Sequence, residues 1–261
     1  MDGTLTVSDP GNARSRAVPG AVELVAGLRA RGIPLAILTN GTNRTPAQYA
    51  TRLREAGLDI QPRDVVTPVD VLVAVCRRRR HRRVMVVGTG AVASQLRRAG
   101  IDVVAASGRP EGVDAVFVGW YRAVRFDHIE AASLAVTDGA RLYSASQSLY
   151  YFTALGRSYC TSRSIAVAIR DLTGRRIELL GKPDALALRT VAGRLGLPGE
   201  ALAVVGDDPE LEAPMARRAG AVAVGVHTGV GAAADFAAAP VAGRADLSVP
   251  SLADVVALLG W

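Results

Sequence analysis

Short runs of β-branched and other apolar residues alternate along the chain with stretches whose apolar positions recur every three to four residues. The runs predict strands over residues 34–39, 84–87, 103–106, 115–119, 141–144, 203–206 and 221–226. Between them the helical period predicts helices over 21–30, 46–56, 69–79, 91–98, 129–137, 164–172 and 185–195. Strands apolar on both faces and separated by helices imply α/β layers on a largely parallel sheet. Two junctions carry helix-start signals. Thr45 is placed to cap, Pro46 suits the first helical position and Gln48 completes a capping box. Lys182-Pro183-Asp184 reads as a loop running into the helix at 185.

Composition narrows the setting. With 261 residues, 49% of them hydrophobic, the chain is long enough for a main domain plus a smaller one, each with a core. The first twenty residues are too polar for a signal peptide, and the most apolar stretch, 219–243, is interrupted by His227 and Asp235. No membrane partner is expected. Two cysteines without a Cys/His cluster argue against a disulfide framework or structural zinc and fit a reducing cytoplasm. The net charge is +7, and arginines crowd residues 77–83. Without interleaved aromatics for base stacking, that run reads as a solvated helix end and the start of a strand, and no nucleic-acid partner is expected.

Four pieces carry candidate chemistry. Asp2-Gly3-Thr4-Leu5 opens the chain, and alone it would mark only a turn. Next, an apolar strand runs into Thr39-Asn40-Gly41, offering a hydroxyl, an amide and free backbone N–H groups where open α/β sheets bind anions. Gly181-Lys182-Pro183 supplies a fixed cation suited to charge developing on a phosphoryl group. Finally, a buried strand ends in Gly206-Asp207-Asp208, with Glu210 and Glu212 following. Hard carboxylate oxygens at a sheet's edge suit Mg²⁺, although acids after a strand also favour the first turn of a helix.

In order and setting these pieces resemble the haloacid dehalogenase superfamily, specifically the class IIA phosphatases related to 4-nitrophenylphosphatase and phosphoglycolate phosphatase. The resemblance extends through 116–120, 126–129, 180–183 and 226–230 and so covers almost the whole chain. It implies a Rossmann-like parallel core with an inserted α/β cap: residues 1–81 and 179–261 as core, 82–178 as cap. It also implies a Mg²⁺-dependent phosphatase that acts on a small phosphorylated metabolite through an aspartyl-phosphate. Asp2 would then be the general acid/base, with its backbone carbonyl on the metal. Thr39, Asn40 and Gly41 would hold phosphoryl oxygens, Lys182 would balance charge, and Asp207 with Glu212 would complete the metal site. Dimerisation through the cap would be usual for such a protein.

The chain departs from the family pattern in several places. The family motif is Asp-x-Asp-Gly-Thr/Val-Leu with x at Met1, so the attacking Asp would precede the first residue. The strand leading into it is expected between strands 34–39 and 203–206, whose facing edges would otherwise lack partners. The expectation is therefore a natural protein that starts upstream, the chain as written having little activity. Leu211-Glu212 replaces Thr-Asp, and Pro214 falls inside the helix expected there. Tyr121 and the stretch Ser144–Ser148 depart from the usual cap residues, which leaves the substrate open. One alternative is a pseudophosphatase that binds phosphate without chemistry. A more remote one is an NAD-binding oxidoreductase, since Gly88-Thr89-Gly90 with Ala93 follows a strand. The latter lacks its ribose-binding acid, because Asp102 precedes the next strand instead of ending it.

Overall fold

The computed structural model describes residues 1–8, 15–153 and 156–261. In chain order the strands are β1 (Thr6–Ser8), β2 (Ser15–Ala17), β3 (Ile37–Leu38), β4 (Val65–Val66), β5 (Arg83–Val87), β6 (Asp102–Ala105), β7 (Ala115–Val118), β8 (Arg141–Ser144), β9 (Tyr150–Thr153), β10 (Gly156–Tyr159), β11 (Ile177–Leu179), β12 (Ala203–Gly206), β13 (Val222–Val226) and β14 (Leu247–Val249). The helices are α1 (Ala21–Ala30), α2 (Pro46–Glu55), α3 (Pro68–Arg79), α4 (Gly90–Arg98), α5 (Phe126–Thr137), α6 (Thr161–Thr173), α7 (Ala185–Leu195), α8 (Glu212–Ala219), α9 (Ala233–Ala238) and α10 (Leu252–Leu258).

The longest sheet is parallel throughout, ordered β11-β8-β7-β5-β6. Its strands are apolar on both faces, and alternate residues serve two clusters. Val84, Phe117 and Tyr143 face a cluster that continues through α3 into α7 and α8. Met85, Val116 and Leu142 pack instead with Ile165 and Ile169 of α6. A side-chain period of two thus divides one set of strands between two helix layers. A third cluster joins α1, α2 and α10 around Ile37, Val65 and Val226.

The other parallel strands form β12-β13-β14 and β3-β4. Among the described residues β12 pairs only with β13, and β3 only with β4, so these two groups share no ladder. The strand expected over 34–39 spans only Ile37–Leu38, although Thr39 N–H still reaches Val66 O at 3.1 Å.

Most expected helices form within a few residues of their expected bounds. The capping box is present: Gln48 N–H donates to Thr45 Oγ1 and Thr45 N–H to Gln48 Oε1. Asp184 caps α7 through Leu186 N–H at 2.8 Å. Pro214 proves compatible with α8 because it is the third residue of that helix, where an amide needs no intrahelical acceptor. Elements without a long periodic signal were not anticipated: the antiparallel pairs β1–β2 and β9–β10, β4, β11, β14, α9 and α10. No helix among the described residues is long and apolar enough to cross a membrane. Cys76 and Cys160 are buried free thiols.

Candidate active site

Strands from three separate ladders lead into one place: β3 runs into Thr39-Asn40, β11 leads to Gly181-Lys182, and Asp207 follows β12. The turn over residues 1–6 closes against them. Its compactness comes from Met1 O, which accepts from both Leu5 N–H (2.8 Å) and Thr6 N–H (3.1 Å). Gly3 has φ 84°, a conformation that favours glycine.

Asp207, only 4% exposed, is the anchor. Its Oδ1 accepts from Thr4 Oγ1 at 2.5 Å and its Oδ2 from Val230 N–H at 3.0 Å. Thr228 Oγ1 in turn donates to Gly3 O at 2.6 Å. Two glycines make room for this carboxylate: a Cβ on Gly3 would lie 2.1 Å from Asp207 Oδ2, and one on Gly229 would lie 2.0 Å from it.

Lys182 is buried and its Nζ pairs with Glu212 Oε1. Burial alone would lower the pKa of this ammonium, but the charge and hydrogen bond of Glu212, with Asp207 and Asp208 nearby, outweigh it and raise the pKa. Lys182 therefore stays protonated. Glu212 reaches back over the end of β12, where a Cβ on Gly206 would fall 2.1 Å from Glu212 Cγ. Its Oε2 also accepts from Asp208 N–H at 3.2 Å. Burial pushes the Asp208 carboxyl up to about 6, with the Glu212 charge adding to the effect.

Asn40 holds the lysine's main chain. Its Oδ1 accepts from Lys182 N–H at 2.8 Å, and its Nδ2 donates to Lys182 O at 3.1 Å. Thr39 Oγ1 accepts from Gly41 N–H at 3.0 Å, which leaves its hydroxyl proton free to donate elsewhere. Asp2 is exposed, and its Oδ1 accepts from Thr6 Oγ1 at 3.3 Å.

The residues expected at the site thus come together, and two of them have further partners. Glu212 pairs with Lys182, because the first turn of α8 aims it at the lysine, and Asn40 bonds the Lys182 backbone with both ends of its amide. Among the described residues, no three His, Cys, Asp or Glu side chains form a group able to hold a metal ion. The buried Asp207 carboxylate is a hard oxygen donor of the kind a divalent cation takes.

Thr4, Thr228 and Val230 were not anticipated as site residues. Their signal was available, since β13 runs into Thr228-Gly229 much as β3 runs into Thr39 and Gly41. The dinucleotide-like turn at Gly88–Gly90 lies between β5 and α4, and Asp102 opens β6 instead of preceding it, 3.5 Å from Arg83 Nε. The histidines are dispersed: His81 meets Tyr143 Oη, His128 accepts from Arg125 N–H, and His227 meets Ser248 Oγ.

The chain is similar to known proteins. Residues 1–102 match the haloacid dehalogenase-like hydrolase family, and residues 179–255 match a HAD-hydrolase-like family. The chain is 28% identical over 240 residues to the ribonucleotide monophosphatase NagD of Escherichia coli (strain K12), covering 92% of this chain and 91% of that protein. It is 26% identical over 214 residues to an acid sugar phosphatase of Staphylococcus epidermidis, covering 82% of this chain and 81% of that one. Among solved structures, the glycerol phosphate phosphatase Rv1692 of Mycobacterium tuberculosis in complex with calcium superposes with a TM-score of 0.86 at 26% identity. That match covers 98% of this chain and 72% of the other. With both halves of its core matched and the loops gathered as described, the chain belongs to the haloacid dehalogenase-like hydrolases, in their class IIA branch.

Proposed function

We propose that this phosphoric monoester hydrolase of the haloacid dehalogenase type cleaves a small phosphorylated metabolite through an aspartyl-phosphate, with Mg²⁺ in the site. The observation that carries this reading is a buried, protonated lysine set among buried carboxylates where strands from three separate ladders end. Thr39 donates its hydroxyl to a phosphoryl oxygen. Lys182, oriented by Glu212 and Asn40, balances the phosphoryl charge as it moves. Asp2, exposed at the turn, protonates the leaving alkoxide and then takes a proton from water.

The attacking carboxylate of this reading is the first Asp of the Asp-x-Asp motif, the position immediately before Met1. Asp207 and the Asp2 main-chain carbonyl would hold Mg²⁺, which when bound neutralises charge on the phosphoryl oxygens. The solved complexes of Rv1692 with calcium and with magnesium lend support to a divalent ion. Residues 82–178 are read as the cap that excludes water and selects the substrate. Buried free thiols at Cys76 and Cys160 suit a cytoplasmic setting.

The test is a chain extended upstream of Met1 by an apolar strand ending in Asp, assayed with Mg²⁺ on a panel of phosphate monoesters. Turnover is expected, with at least a thousandfold loss when that Asp is replaced by Asn, and loss on chelation of the metal. An extended, folded chain that hydrolyses nothing on the panel overturns the proposal.

A further inference from the structure

The arginine-rich run left over by the sequence reading does not simply face solvent. Arg77 and Arg78 of α3 line a groove of about 900 Å³ together with Arg98 of α4 and Arg189 and Arg194 of α7. Asp70 is the one acid in its wall, and Arg194 Nη2 occupies it at 2.6 Å. The side chains of Arg77, Arg78, Arg98 and Arg189 are exposed and have no hydrogen-bond or ion-pair partner among the described residues. The floor is apolar, formed by Val69, Val73 and Leu186. One end is the first turn of α2 at Thr45–Ala47, which adds the positive end of a helix dipole. None of Asp2, Thr39, Lys182 or Asp207 lines the groove.

Four like charges lining one groove without counter-ions repel one another, and a bound polyanion lowers that repulsion. Guanidinium forks match phosphate oxygens two at a time, so adjacent phosphates suit this set better than a single carboxylate does. An apolar floor beside the charged wall adds room for a flat ring. We propose that this groove is a second, non-catalytic site that binds a small ligand carrying adjacent phosphates, a diphosphate with or without a nucleoside. The site spans the seam between α4 and the helices α3 and α7, so an occupant would tie the five-stranded sheet's layer to the rest of the molecule. This inference does not depend on the reaction proposed above.

Calorimetric titration of the chain with ADP and, separately, with inorganic pyrophosphate tests it. Both probes are expected to bind, and more weakly as salt is raised. Tighter binding of ADP would identify a nucleotide ligand, and equal binding would identify the diphosphate group alone. The Arg98→Glu/Arg189→Glu double variant, altered only at exposed positions, should keep its thermal transition and bind at least about tenfold more weakly, the size of one lost charge-assisted bond. Lys182→Met combined with Glu212→Met, which removes the catalytic-site lysine without stranding a buried charge, should bind both probes as the parent does. The proposal is overturned if neither probe binds, if affinity survives the double arginine substitution, or if the folded double Met variant no longer binds.

Discussion

Glu212 sits in the first turn of α8, a few residues past the strand that delivers Asp207, and its carboxylate pairs with Lys182. Acids in that position have a ready local explanation in the helix dipole, and spacing alone did not distinguish dipole, metal and counter-ion roles. The pairing rests on Lys182, thirty residues away, which could not remain charged when buried without a partner. Truncating Glu212 to Ala strands that ammonium. We expect a loss of roughly 3–5 kcal/mol in urea unfolding, whereas Glu212→Met combined with Lys182→Met should come close to the parent. If Glu212→Ala alone proves neutral, the pair does not hold the loop. Asn40 teaches the same lesson: its side chain reads as a ligand for phosphate, and its geometry makes it a clamp on the lysine's backbone.

At the scale of elements, agreement between pattern and structure tracks the length of the repeating signal. Helices such as α1 and α7, with ten or more periodic residues, form where the apolar spacing places them. α9 and α10 are six and seven residues long and show too few repeats to stand out from loop. Strands β4 and β11, of two and three residues, are defined by their partners, since parallel ladders depend on neighbours remote in sequence. Capping was legible because it is local. Thr45→Ala should remove one side of the reciprocal box on α2 and lower stability by about 1 kcal/mol in thermal or urea unfolding. A neutral result would mean that packing of Tyr49 and Leu53, both buried, sets that helix start without the cap.

For the whole molecule, the junction between the loop after β3 and the five-stranded sheet is built on Thr42, which is fully buried. Its Oγ1 accepts from Trp120 N–H at 2.7 Å, and its carbonyl oxygen accepts from Thr89 Oγ1 at 3.1 Å. Gly119 is required there, since a Cβ would lie 2.8 Å from Thr42 Oγ1. Replacing Thr42 by Val keeps the shape and leaves the Trp120 amide without an acceptor, which should cost about 1–3 kcal/mol. Hydrogen exchange at the Trp120 amide would report the change directly: protection equal to the parent's would rule this contact out as the link between the two layers.

The chain's own order of residues determined the alternation of strands and helices, the parallel α/β class and the set of loops that meet, because periodicity and strand-end chemistry are properties of neighbours in sequence. Only the tertiary structure decided which carboxylate faces the lysine, which amide clamps its loop and where the arginines converge. Those outcomes depend on burial and on distances between segments far apart along the chain, and no local pattern encodes them.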